Sequence, residues 1–126
     1  MKLLIIHGPN MNLLGLFSKN RLTLDKLNKS IRKFANSKNI DVKILQTNDE
    51  AKYVTYIQRN RNKVDAYILN LNSLLPKAFV IKSTLEIIKP KYLIVENSTF
   101  SKEFIDLSIF DKNYLIQNDD FKNLYN

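Results

Sequence analysis

A chain of 126 residues, 44% apolar and 25% charged, is long enough for one folded core and too apolar for intrinsic disorder. It has no cysteine, which excludes a disulfide framework and thiolate chemistry and fits a reducing compartment, and no run approaches the ~18 apolar residues of a membrane span. The net charge of +8 is spread over lysines from Lys2 to Lys122, with only Arg21, Arg32, Arg59 and Arg61 as arginines, which describes a lysine-coated surface better than a nucleic-acid patch.

The opening MKLLIIHGPN places a Gly-Pro-Asn turn where a secretory signal would continue its apolar stretch, so residues 2–7 are expected to be a first strand buried on both faces. HGPNMNLLG, residues 7–15, then holds both glycines, the one histidine and one of three prolines. Glycine permits positive φ and close backbone approach, Pro9 fixes a turn, and Asn10 and Asn12 carry polar groups beyond the strand. From Thr23 as N-cap, Leu24, Leu27, Ile31, Phe34 and Ala35 recur at helical spacing, with Asp25 in the first turn and a fade at 36–39. IDVKILQ, 40–46, alternates as a strand and ends at a turn, TND, that caps a helix bearing Tyr53, Val54 and Ile57; the basic QRNRNK, 58–63, suits that helix's C-terminus.

The pattern repeats in VDAYILNL, 64–71, a strand, and in a helix opened by Pro76 and carrying Ala78, Ile81, Leu85 and Ile88. Pro90 precedes the strand YLIVE, 92–96, and a weaker helix over 101–107 and a strand NYLIQ, 113–117, complete the chain. Strands alternating with helices predict a parallel sheet with right-handed crossovers, hence a three-layer α/β architecture, and no linker divides residues 1–126 into more than one domain. Ligands of such sheets bind beyond the carboxyl ends of the strands, near the topological switch point. That rule selects the loops 8–22, 47–50, 70–76 and 96–100, which carry Asn10, Asn12, Asn48, Asn70, Asn72, Asn97, Ser98 and Thr99. Each is also an ordinary turn residue, so only their concentration on one rim speaks for a polyhydroxylated ligand.

Several chemistries are unsupported. Gly8 and Gly15 form neither a dinucleotide nor a Walker phosphate loop, no carboxylate pair stands at zinc-ligand spacing with His7, and no serine lies in a nucleophile elbow. His7 is expected to be a packed, hydrogen-bonded residue at a strand end.

One resemblance does emerge. A strand followed by Gly8, Pro9, Asn10, Asn12, Leu13, Leu14 and Gly15, then Thr23-Leu24 at a helix start, resembles the type II dehydroquinases, flavodoxin-like 3-dehydroquinate dehydratases of the shikimate pathway. Gln46, Thr47, Asn48 and Glu50 match that family's next landmark, AYILN ending in Asn70 matches the one after, and the likeness extends to about residue 105. It implies a lyase of aromatic amino-acid precursor biosynthesis, without cofactor or metal, in the cytoplasm. It also implies 3-dehydroquinate as substrate and a homo-oligomer, a dodecamer built of trimers in which a neighbour contributes to each site.

In that family a lid tyrosine beside an arginine removes the C2 proton, a histidine protonates the departing hydroxyl, and asparagines with a bound water stabilise the enolate. The resemblance assigns Asn10 to the enolate, Asn70 to the substrate, and the amides of Asn97 and Ser98 to its carboxylate. The lid, LFSKNRL at 16–22, has Phe17 but no tyrosine, Arg21 is its one arginine, and Glu96 stands at the place of the acid histidine. Pro76 occupies the position of a substrate-binding histidine, and Lys82 and Ser83 those of an arginine and an aspartate. Two expectations follow: dehydration of 3-dehydroquinate to 3-dehydroshikimate with impaired chemistry, Arg21 and Glu96 serving as replacements, or a catalytically decayed protein that keeps the fold as a binding or structural subunit. A nucleic-acid role rests on charge alone.

Overall fold

The computed structural model describes residues 1–18, 21–71 and 78–95. The expected helix over 101–107, the strand over 113–117 and Pro76 lie outside the described residues. β1 (Lys2–His7) is followed by a 3₁₀ turn (Met11–Leu13), a one-turn α1 (Leu14–Phe17), α2 (Leu24–Ser37) and β2 (Asp41–Gln46). Then come α3 (Glu50–Asn60), β3 (Ala66–Asn70), α4 (Phe79–Ile88) and β4 (Tyr92–Val95). Among the described residues the three strand pairings are parallel and the order is β2-β1-β3-β4, the start of the doubly wound flavodoxin-like order.

Local chemistry explains the boundaries. The Thr23 hydroxyl caps α2 by accepting from the Lys26 N–H at 3.2 Å, and Asp49 caps α3 by accepting from the Ala51 N–H at 2.9 Å. Asp25 and Glu50 lie in the first turns of these helices and Arg59 in the last turn of α3, each complementing the helix dipole. β3 is shorter than the expected 64–71 because the Val64 N–H turns back to the Asn60 carbonyl at 3.1 Å, closing α3 before the strand begins. α4 begins at Phe79, with Ala78 at its cap, three residues beyond the expected start at Pro76. The one-turn α1 occupies part of the segment expected to be a loop: Leu14 anchors it in the core while Leu16 and Phe17 face outward.

Strand alternation divides the core in two. On one face Leu3, Ile5, Ala66, Ile68 and Leu93 meet Leu27 and Ile31 of α2. On the other, Leu4, Ile6, Tyr67 and Leu69 meet Tyr53 and Ile57 of α3 and Ile81 and Leu85 of α4. Helices cover both faces, which is why the central strands β1 and β3 are continuous apolar runs rather than alternating ones. α2, which follows β1, packs on one face of the sheet and α4, which follows β3, on the other, so the adjacent strands β1 and β3 form the topological switch point, where such sheets have their crevice at the strands' carboxyl ends.

Candidate functional site

The last residues of the strands form a level row at that crevice. His7 pairs with Gln46 on one side and Asn70 on the other, and Asn70 with Val95. By strand alternation the row sits above Ile5 and Ile68 on the α2 face, so a polar layer crowns an apolar core. His7 and Asn70 are both 0% exposed.

His7 behaves as the sequence led us to expect. Its Nε2 lies 3.0 Å from Oδ1 of Asn28 on α2, an acceptor, so Nε2 carries the proton. Burial lowers its pKa from 6.5 to about 4, against the opposing pull of the Asn28 bond, and the imidazole is neutral at pH 7. Asn70 differs. Neither its Nδ2 nor its Oδ1 has a hydrogen-bond partner among the described residues, although its main-chain carbonyl accepts from the Tyr53 hydroxyl at 3.1 Å. Leaving a buried amide unsatisfied costs roughly 1–3 kcal/mol per group, so such an arrangement is retained where a ligand or ordered water completes it.

The GPN loop folds over this row. Neither glycine adopts positive φ, contrary to one of the two properties expected of them; Asn10 takes the left-handed conformation instead, at φ 68°. Gly8 is required for the other property. A Cβ on it would stand 2.6 Å from the Asn70 carbonyl oxygen and 3.0 Å from that of Leu71, so only glycine lets the end of β1 lie against the end of β3. Gly15 is packed against Thr23, whose Cγ2 would be 3.0 Å from an added Cβ. The Asn10 N–H donates to Asn48 Oδ1 at 3.0 Å, and Gln46 Nε2 donates to Asn48 Oδ1 at 3.1 Å, to the Gly8 carbonyl at 3.3 Å and, at 3.5 Å, to Asn12 Oδ1. The side chains of Asn10 and Asn12 remain exposed at the rim.

The structure therefore seats Gly8, just before Asn10 in the same loop, against the backbone of Asn70 at the carboxyl ends of β1 and β3. Arg21 is exposed, at φ 54°, and no hydrogen bond or ion pair among the described residues joins it to either asparagine. Glu96, Asn97 and Ser98 lie outside the described residues. Two participants escaped the sequence reading. Asn28 had a signal, a lone amide inside the apolar stripe Leu24, Leu27, Ile31; Gln46 was matched as a landmark but its reach to three oxygens had no local signature. Among the described residues no three His, Asp or Glu side chains gather as metal ligands, and no helix is long and apolar enough to cross a membrane. What the floor offers is neutral amides, which suit hydroxyls and a developing oxyanion.

Comparison with known proteins gives this arrangement a lineage. The signature of the family described as dehydroquinase class II matches residues 1–110. A 3-dehydroquinate dehydratase of Dictyoglomus turgidum is 35% identical over 88 residues, 68% of this chain and 61% of that protein. One of Halothermothrix orenii is 31% identical over 101 residues, 78% of this chain and 68% of that protein. The chain thus matches about three fifths of the length of the first of these relatives. Among solved structures, the type II dehydroquinase of Butyrivibrio crossotus superposes with a TM-score of 0.70 at 28% identity, over 83% of this chain and 77% of that one. A 3-dehydroquinate dehydratase-like protein of Bifidobacterium longum, at 14% identity and a TM-score of 0.64, shares the fold over 94% of this chain and 99% of its own.

Proposed function

The chain belongs to the dehydroquinase class II family, and from that premise we propose that it dehydrates 3-dehydroquinate to 3-dehydroshikimate, a step of the shikimate pathway. The observation that carries this reading is Asn70: a fully buried amide with both polar atoms unmatched among the described residues, at the switch point, beside the loop that best matches the family. A hydroxylated ring entering the crevice would satisfy it.

The chemistry follows from the groups available. Loss of the C2 proton to a water molecule, which takes the part of the absent lid tyrosine, places negative charge on the substrate's carbonyl oxygen, and Asn10 at the rim is the donor for that oxyanion while Asn70 orients the ring from below. Arg21 supplies positive charge from the lid segment, Glu96 delivers the proton to the departing hydroxyl, and the amides of Asn97 and Ser98 hold the substrate carboxylate. With no tyrosine among residues 16–22 and a carboxyl group at the acid position, proton transfer is inefficient. Each such transfer is worth about 10² to 10⁴ in rate, so turnover is slow. The reading includes one domain over 1–126, a homo-oligomeric assembly, dodecameric by family likeness, a cytoplasmic location, and neither cofactor nor nucleic acid.

Formation of dehydroshikimate, followed by its ultraviolet absorbance at high enzyme concentration and saturating substrate, tests the proposal. Absorbance at the uncatalysed rate overturns it. The second reading, a binding or structural subunit that has lost catalysis, is favoured by the missing lid tyrosine and acid histidine. Calorimetric titration with 3-dehydroquinate separates the two, because a decayed site gives no heat of binding.

A further inference from the structure

We propose that Gln46 and Asn48 are positioning residues, a two-amide clamp that holds Asn10 in its left-handed conformation and so aims its side chain into the crevice. The inference rests on the reading of Asn10 as an enolate-stabilising group; the clamp itself is a matter of hydrogen bonds. Asn48 Oδ1 has two acceptor sites, and they take the Asn10 N–H at 3.0 Å and the Gln46 amide at 3.1 Å. The two protons of the Gln46 amide go to Asn48 and to the Gly8 carbonyl at 3.3 Å, with Asn12 Oδ1 sharing one of them at 3.5 Å.

Asn48 is itself held on both sides. The Thr47 N–H donates to the His7 carbonyl at 3.0 Å, and the Thr47 hydroxyl accepts from the Asp49 N–H at 3.1 Å. Besides the Gln46–Asn48 bond within their own turn, the amides therefore join the end of β2 to a loop 34 to 38 residues away. Asn10 heads the 3₁₀ turn without spending its side chain on a capping bond, and its φ of 68° lies where L-residues are disfavoured. The backbone is held by others, and the side chain stays available for a ligand.

Two isosteric substitutions on the full chain separate a clamp from a change in local charge. Gln46→Glu replaces the donating amide with oxygen, so three oxygens that accepted a proton now face a carboxylate. Asn48→Asp adds the same charge on the same rim but keeps the accepting Oδ1. Hydrogen exchange at the Asn10 amide, read by NMR, needs no turnover. It is expected to accelerate about tenfold in Gln46→Glu and to stay within about twofold of the parent in Asn48→Asp. Equal acceleration in both, or none in Gln46→Glu, overturns the clamp. Should Gln46→Glu not fold, Gln46→Met, which keeps the stem and removes both donors, gives the same comparison without added charge. With 3-dehydroquinate as substrate, the variant at Gln46 is expected to lose about 10²-fold in kcat with KM moved less than about threefold. A raised KM at unchanged kcat overturns positioning. A parent chain with no turnover instead overturns the dehydratase reading and leaves the exchange comparison to decide the clamp.

Discussion

On the sheet face covered by α3 and α4, buried polar groups find partners within the protein. The Tyr53 hydroxyl lies 2.8 Å from the Ile6 carbonyl, the Tyr67 hydroxyl 2.7 Å from that of Ile57 and the Thr84 hydroxyl 2.9 Å from that of Val80. On the face covered by α2, the Asn70 amide is as deeply buried as Tyr67 on the same strand, and has none among the described residues. The first face spends its polar atoms on holding the fold, and burial accordingly pushes the Tyr67 phenol up to about 12 and the Tyr53 phenol above its usual 10, so neither ionises at neutral pH. The second accepts an unsatisfied amide at the topological switch point between β1 and β3. A polar residue at equal burial thus has opposite meanings according to whether the protein itself completes it.

The largest test of this contrast is pH. His7 titrates near 6.5 when unfolded but only at about 4 in the fold, so between these values the unfolded state binds a proton that the folded state refuses. His7 thus contributes no penalty above pH 6.5, and stability falls as pH drops below it, by about 3 kcal/mol at pH 4. Urea titrations across this window should show that loss in the parent and a flatter profile in His7→Gln. Next is Gly8→Ala, which forces a Cβ onto the Asn70 carbonyl and should cost about 2 kcal/mol in chemical denaturation, because backbone on both sides must move. Asn70→Leu sharpens the contrast in the opposite direction. Exchanging an unsatisfied amide for an apolar group of similar size should raise stability by about 1 kcal/mol while abolishing the calorimetric signal with 3-dehydroquinate. Smallest is Tyr53→Phe on the satisfied face, expected to cost somewhat under the Gly8 change, about 1 kcal/mol, and to leave the shape of the acid profile unaltered.

The elements were legible where they rest on local periodicity and capping. KLLIIH, the Thr23 cap, the stripe from Leu27 to Ala35 and the Asp49 turn specify β1, α2 and α3 without long-range information. Legibility weakened at Val64, where a local backbone bond to Asn60 keeps the amide with α3 inside an apolar run that reads as strand, and in the segment after Gly15, where burial of Leu14 makes a helical turn of an expected loop. The GPN loop was visible as a site because scarce residue types gather in it, yet the reason for Gly8 was mistaken in part. Its need is set by a backbone 62 residues away, and the positive φ falls to Asn10, a residue that tolerates it. Asn28 and Gln46 act across 21 and 34 to 38 residues, and no sequence period encodes such a contact.

The row that places His7 beside Asn70 also has a practical use. As the one histidine of the chain, its ring contributes a single pair of imidazole nitrogen resonances, and a proton fixed on Nε2 by Asn28 makes that pair sharply unequal and constant through neutral pH. Whatever enters the crevice to engage Asn70 must do so next to that ring, so the isotope-enriched chain carries its own spectroscopic gauge of occupancy, one that needs neither an attached reporter nor turnover.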